Sequence, residues 1–448
     1  MNKIKKHIEK SNKVPRYTSY PTAPHFNEGV DSNLVNIWYN NLYKKVDNIS
    51  LYVHIPFCEK LCLFCGCNMK VVNKYDPIQQ YLDLLEKEIL LISKALKNCP
   101  HIKHLHFGGG SPTALKGADF RKLMQVLKKY FPIDEKTDIA VEIDPRTVDD
   151  EKMTSYTDSG MNRISLGVQD FNEQVQKSVN RVQPYDLIKL VIDKLKKQGV
   201  KSINMDIMYG LPFQTLETLD DTLEKVLSLS PDRLSVFGYA HVPWMKAHQK
   251  LIPEEVLPDT TLRLQMYEKI KNYFVNNGYK AIGLDHFAKV TDTMVEALDN
   301  KKLNRNFQGY TTDTANALIG IGHSSIGYTP DGYMQNYLEP QQYKKSLEDG
   351  DLPIKKGFAV SDVDIFRRNI INEIMCYLEV DLKKYNDDWS NFFSDEISRL
   401  GELIDDNLIS LDDGVIRVPD TSRSLIRIVS ASFDTYLNNG KGKHSSAI

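Results

Sequence analysis

Short apolar runs alternate with longer stretches of helical spacing from about residue 50 onward. Alternating or continuous apolar residues at 51–55, 104–107, 138–143, 163–168, 202–208 and 233–239 predict β-strands. Leucine and isoleucine at helical spacing predict helices over 77–96, 120–130, 187–198, 216–229 and 260–277, and a further strand is expected near 280–284. Strands that alternate with helices form βαβ units and a parallel sheet, since parallel neighbours need a long crossover between them. About six such units exceed a small open sheet and fall short of a full eightfold barrel. The expected fold class is therefore α/β, a partial (β/α)6-type barrel, whose ligands would gather at the carboxyl ends of its strands.

The pattern changes after about residue 355. Residues 362–377, 391–403 and 421–437 have helical spacing, and Asp412-Asp413-Gly414 separates two short apolar runs within 408–418, a hairpin signal. The expected organisation is an N-terminal segment (1–48), a catalytic barrel (49–354) and a mainly helical, winged-helix-like C-terminal domain (355–448). Without a basic face, that last domain reads as a lid or packing domain, not a DNA reader.

Composition narrows the function classes. The chain has 448 residues, 41% hydrophobic and 26% charged, with a net charge of −2. These are the proportions of a soluble globular protein, and nothing in the charge points to nucleic acid or an anionic membrane as partner. No apolar run approaches the roughly 18 residues of a membrane span. The basic start, Met1 to Ile8, lacks the apolar core of a secretory signal and reads as a solvated surface helix, so a cytoplasmic location and a monomer are expected. Four of the six cysteines, Cys58, Cys62, Cys65 and Cys67, fall within ten residues, and only Cys99 and Cys376 lie elsewhere. Such a cluster suits metal or redox chemistry better than a disulfide framework.

Cys58, Cys62 and Cys65 have the spacing CxxxCxxC. Iron–sulfur cubes of the ferredoxin kind take four thiolates. Three leave one iron of a [4Fe–4S] cluster open, and an open position can chelate an amine and a carboxylate, the pair carried by the methionine end of S-adenosylmethionine (SAM). A zinc site would need a second cysteine pair, which the sequence lacks. Cys67 as a fourth ligand would close the iron, so it is expected to be a neighbour. Gly108-Gly109-Gly110-Ser111-Pro112-Thr113 follows a predicted strand; it is an ordinary tight turn on its own and, one βα unit after the cysteines, a candidate grip for SAM's ammonium group. Glu142 ends the next strand, either as a solvated carboxylate or as an acceptor for ribose hydroxyls. Asp206, ahead of Tyr209-Gly210-Leu211-Pro212, repeats this placement. Tyr52 and His54 share the face opposite Leu51, Val53 and Ile55, as ligand contacts or as satisfied core groups.

Tyr52-Val53-His54-Ile55-Pro56-Phe57-Cys58 and the cysteines after it resemble the oxygen-independent coproporphyrinogen III oxidases of the radical SAM superfamily. The resemblance extends through Gly108–Thr113, Glu142-Ile143-Asp144-Pro145, Gly167-Val168-Gln169-Asp170-Phe171, Tyr209–Pro212, Asp285-His286-Phe287-Ala288 and Arg16-Tyr17-Thr18-Ser19-Tyr20-Pro21-Thr22. It implies a radical SAM barrel that converts two propionates of coproporphyrinogen III, on rings A and B, to the vinyls of protoporphyrinogen IX through a 5′-deoxyadenosyl radical, in haem biosynthesis. It implies a [4Fe–4S] cluster, SAM on that cluster against Tyr52, Gly109, Glu142 and Ile326, and a second SAM site at Phe64, Gly110, Ser111, Gln169, Arg181, Asp206 and Ala240. A low-potential electron donor, not identified by the sequence, is implied too. The 1–48 segment would close over the active site, with Arg16 pairing a propionate, and His54 and Cys67 would be catalytic or substrate candidates. Two other outcomes share the cluster motif: a haem-binding chaperone paralogue, which typically lacks Cys67 and the Arg16–Thr22 segment, and a haem-modifying radical SAM enzyme. Phe107 stands where the family often has Trp, His323 where a small or apolar residue is expected, and the 441–448 tail differs from the family.

Overall fold

The computed structural model describes residues 2–11 and 14–437, so the 441–448 tail lies outside the described residues. Six parallel strands, β1 (Asn48–Ile55), β2 (His101–Gly109), β3 (Asp138–Ile143), β4 (Arg163–Gln169), β5 (Ser202–Tyr209) and β6 (Arg233–Gly238), lie side by side in sequence order. The helices α3 (Asp76–Ala95), α4 (Gly117–Tyr130), α5 (Asp150–Asp158), α6 (Tyr185–Lys197), α7 (Leu216–Leu229) and α8 (Thr260–Asn276) follow β1 to β6 in turn, which makes six β/α units. Two earlier helices, α1 (Asn2–Lys10) and α2 (Ser32–Asn41), precede the barrel.

The alternation noted at Tyr52 and His54 runs round the sheet. Leu51, Val53, Leu105, Phe107, Val141, Leu166, Met205 and Val236 are fully buried and belong to the main apolar cluster. The intervening positions, among them His106, Glu142, Ser165, Asn204, Asp206 and Ser235, line a polar lumen of about 230 Å³. Period-two patterning thus gives each strand an apolar face for the helices and a polar face for the interior. Phe107 is wholly buried, with its ring 4.9 Å from that of Phe120 on α4, so an aromatic of smaller size fills the position where the family often has Trp.

Five features depart from expectation. The strand near 280–284 is not a further parallel unit. β7 (Tyr279–Ile282) and β8 (His286–Lys289) form a hairpin, and β8 pairs antiparallel with β6. The three residues between them are too few for a parallel crossover, and Gly283 takes the positive φ (51°) of the turn. On the other side of the sheet, β9 (Leu318–Ile321) runs parallel to β1, and β10 (Ile326–Thr329), β11 (Gly332–Asn336) and β12 (Ile354–Ala359) continue as an antiparallel meander. Those strands have four to six residues each, too short to show a period.

In the C-terminal region, α9 (Asp362–Tyr377) and the Asp413-Gly414 hairpin are as expected, both turn residues having positive φ (44° and 79°). The predicted 391–403 helix breaks at Phe393, so that α10 is Ser394–Asp405. The 421–437 helix is a 3-10 turn (Asp420–Leu425) followed by a short α11 (Ile426–Ala431). Helix α1 is solvated on one face only. His7 and Ile8 are buried, and His7 Nε2 donates to Asp406 Oδ2 at the end of α10 (2.8 Å). No helix among the described residues is long and apolar enough to cross a membrane.

Candidate active site

The loop that follows β1 carries the cysteines across the carboxyl end of the barrel. Its backbone is tied down from several elements. Lys70 N and Val72 N donate to Pro56 O and Cys58 O (2.7 and 3.0 Å), Leu63 N to Val179 O (2.9 Å), and Asn180 Nδ2 to Leu61 O (2.7 Å). From the β6–α8 connection, Gln249 Nε2 donates to Phe64 O (2.9 Å), His248 Nε2 to Cys65 O (2.8 Å) and Lys246 Nζ to Cys67 O (2.8 Å). With its carbonyls so engaged, the loop presents its thiols. Cys62 is buried, Cys58 and Cys65 half-buried, Cys67 exposed, and none is in a disulfide.

The electrostatics around the thiols are cationic. Arg146 Nη2 and Arg181 Nη1 both donate to Cys62 Sγ (3.2 and 3.3 Å), and Asp144 holds the two guanidinium groups in place (2.7 and 3.4 Å). The thiol and amide of Cys67 donate to Cys65 Sγ (amide, 3.4 Å), which brings the Cys65 thiol down to about 6. The same contact pushes the Cys67 thiol upward, and burial raises Cys58 to about 12. Two nearby polar atoms, Asn68 Nδ2 and Arg181 Nε, are buried with no hydrogen-bond partner among the described residues. No three His, Cys, Asp or Glu side chains among the described residues converge on the position of one metal ion. A donor set of spaced thiols with cations behind them suits the larger, anionic iron–sulfur cube better than a single zinc ion.

Beside this loop, β1, β2 and β3 place the next group. His54 Nε2 donates to Asn68 O (3.0 Å), which leaves Nδ1 to accept from Tyr52 Oη (3.0 Å). Burial pushes the His54 imidazole down, so the ring stays neutral in this tautomer. Tyr52 stacks on His106 (5.9 Å), and His106 Nε2 donates to Glu142 Oε1 (3.0 Å). Glu142 Oε2 accepts from Gly109 N (3.3 Å). Two of the three glycines, Gly109 and Gly110, are a steric requirement, since a side chain there would meet backbone. A Cβ on Gly108 would meet Glu142 Oε1 at 2.6 Å. One on Gly109 (φ 121°) would meet His54 Nδ1 at 2.7 Å, and one on Gly110 would meet Phe57 O at 2.8 Å. Ile326 lies two strands from Tyr52, on β10 beyond β9, and backs Gly320, which pairs with Tyr52.

The remaining candidates ring the mouth. Ser111 N donates to Phe57 O (2.8 Å), and the Ser111 and Thr113 hydroxyls share a hydrogen bond (2.5 Å). Gln169 ends β4 with positive φ (69°), and Arg181 Nη2 donates to Gly167 O (2.6 Å). Asp206 accepts from Ser165 Oγ (3.1 Å) and Asn204 Nδ2 (2.8 Å), and burial raises its carboxyl. Phe64 packs beside Tyr239 and Ile252, and Ala240 follows β6 on the wall of a cavity that Arg16 also lines. His323 sits in the β9–β10 turn, its ring set edge-on to those of His54, Tyr81 and Tyr343 (5.6–6.2 Å). Burial, then His54, push it down to about 4, so a neutral ring occupies the place expected for an apolar side chain.

Sequence reasoning missed several residues. Arg146 is one position beyond the Glu142–Pro145 motif, and extending that motif would have included it. Lys246, His248 and Gln249 lie in a connection without a pattern, and their role depends on where the chain folds back.

Residues 52–226 match the Radical SAM superfamily, a span from the strand before the cysteines to α7. The chain is 41% identical to the oxygen-independent coproporphyrinogen III oxidase of Bradyrhizobium diazoefficiens over 97% of both chains, and 38% identical to that of Helicobacter pylori over 96% of both. The structure of coproporphyrinogen III oxidase (HemN) from Escherichia coli, described as a radical SAM enzyme, superimposes with a TM-score of 0.89 at 38% identity, covering 94% of this chain and 98% of that one. Barrel, cysteine loop and these similarities define a radical SAM protein. Within that class, the chain belongs to the oxygen-independent coproporphyrinogen III oxidase family.

Proposed function

We propose that this protein carries out the SAM-dependent oxidative decarboxylation of coproporphyrinogen III to protoporphyrinogen IX without oxygen. The observation that carries this reading is the Cys58–Cys62–Cys65 loop, fixed over a polar barrel mouth with Arg146 and Arg181 on Cys62, in a chain similar to such oxidases from end to end. Cys58, Cys62 and Cys65 would hold a [4Fe–4S] cluster, which when bound supplies the electron that cleaves SAM and so generates the radical that starts the reaction. Each reacting propionate loses one hydrogen atom, carbon dioxide and one electron, and becomes a vinyl group.

The protein's part is binding, orientation and exclusion of water. Gly109 brings its backbone to the methionine end of SAM where a side chain would not fit. Glu142, steered by His106, has lone pairs left for ribose hydroxyls. Tyr52, fixed by His54, forms the wall opposite, and Ile326 closes the apolar side. Phe64, Gly110, Ser111, Gln169, Arg181, Asp206 and Ala240 would form the second SAM site. Cys67 would be a thiol neighbour of the cluster, not a ligand. The 1–48 segment would close the mouth, with Arg16 on a substrate carboxylate. The same reading includes a low-potential electron donor, a cytoplasmic location and a monomer. Anaerobic incubation of cluster-loaded, reduced protein with SAM and coproporphyrinogen III should give the divinyl product by mass spectrometry. Absence of any vinyl product would overturn the reading.

A further inference from the structure

Where β5 and β6 end, a cavity of about 310 Å³ opens between Tyr209, the 237–241 segment, the start of α8 and the C-terminal region. Three arginines line it: Arg16 from the N-terminal segment, Arg263 from α8 and Arg427 from α11. The Arg263 side chain is half-buried. Its Nη2 donates to Tyr239 O (2.9 Å), and its guanidinium lies 5.7 Å from the ring of Tyr209. Arg16 Nη2 donates to Gly238 O (3.4 Å). Neither Arg16 nor Arg263 has a carboxylate within 4.0 Å among the described residues. Arg427 is held by the carbonyls of Val14 and Pro15. Of the two acids in the wall, Asp285 is engaged by His286 (2.8 Å) and Arg305 (3.6 Å), and Asp259 caps α8 through Leu262 N (2.7 Å). Burial and the charge of Arg16 press Arg263 and Arg427 below their ordinary range.

A partly buried cation without a counter-charge is costly, and an anionic ligand removes that cost. The volume is at the small end of the roughly 300–1,000 Å³ of whole-ligand sites, so it suits one arm of a larger molecule. We propose that Arg263, with Arg16 at the rim, anchors a propionate carboxylate that the reaction leaves in place. This rests on the function proposed above. One argument selects a retained carboxylate over a lost one. Paired guanidinium groups stabilise a carboxylate and so oppose its departure as neutral carbon dioxide. Arg263 and Arg16 are thus positioning residues: they hold a part of the macrocycle that does not react.

The test compares two porphyrins on the full-length, cluster-loaded protein by fluorescence titration. Coproporphyrin III carries all four propionates, and protoporphyrin IX only the two that remain. Arg263→Gln should weaken both by the same factor, about 10- to 100-fold, the loss of one charge-assisted contact, and Arg263→Lys should recover part of it. Arg16→Gln, on an exposed side chain, should weaken both in the same way and serves if Arg263→Gln fails to fold. Unchanged affinity for both porphyrins would overturn the inference, as would weakened coproporphyrin III binding with unchanged protoporphyrin IX binding. Failure of the parent protein to bind either porphyrin would instead overturn the proposed function, and the inference with it.

Discussion

At the scale of residues, the cysteine loop illustrates how much spacing can say. CxxxCxxC leads to an expected number of thiolates and their order from the sequence alone. It does not give the cations. Arg146 reaches Cys62 Sγ only because Asp144, two residues earlier, turns its guanidinium back toward the loop, and Arg181 arrives from beyond β4. The spacing argument has a direct test. Cys58→Ala, Cys62→Ala and Cys65→Ala should each lose the visible absorbance of a reconstituted cluster and bind well under four irons per chain. Cys67→Ala should retain both. Iron analysis beside the absorption spectrum checks this, and loss of iron from the Cys67 variant would mean that the loop uses a fourth thiolate. Arg263, by contrast, left no trace in the sequence. It is one basic residue on a helix, and its importance arises from the cavity that the neighbouring elements make around it.

At the scale of elements, strand parity was the most legible signal. Tyr52 and His54 indicated which face of β1 turns inward, and the same alternation placed Glu142 and Asp206 in the lumen. The 318–359 meander was illegible because its strands are short and its cohesion comes from a buried polar hub. Glu88 of α3 accepts from Gly322 N (2.7 Å), Asn336 Nδ2 (2.6 Å) and Tyr343 Oη (2.5 Å), tying a barrel helix to the β9–β10 turn, to β11 and to the helix at Pro340–Glu348. No period in the sequence pairs residue 88 with 322, 336 and 343. Burial raises this carboxyl to about 7, against its three hydrogen bonds. Since the folded value exceeds the unfolded one, the folded state binds the extra proton between the two. The contribution of Glu88 to stability is therefore fully present below about pH 4.3 and declines as pH rises toward 7. Glu88→Gln should flatten that decline, seen as a smaller difference between denaturation midpoints at pH 5 and pH 8. An unchanged difference would show that Glu88 is ionised throughout.

At the scale of the whole molecule, the N-terminal segment joins parts that are distant in sequence. Tyr17 Oη donates to Asp434 Oδ2 (3.0 Å), Thr435 N donates to Tyr20 Oη (3.2 Å), and Tyr333 on β11 approaches Tyr20 N (3.4 Å). The segment therefore lies between the meander and the end of the chain, and it delivers Arg16 to the cavity beside α8. These anchors are on the C-terminal region and β11, not on the cysteine loop, so segment and cluster should separate experimentally. Tyr20 is among the largest fully buried side chains, and Tyr20→Ala should cost about 3–5 kcal/mol of local packing. The expected result is a segment that opens. Trypsin should cut after Arg16 much faster than in the parent, the KM for coproporphyrinogen III should rise, and the visible absorbance of the reconstituted cluster should stay unchanged. Loss of the cluster in this variant would mean that segment and barrel fold as one unit. Unchanged cleavage at Arg16 would mean that the C-terminal contacts of Tyr17 alone hold the segment down.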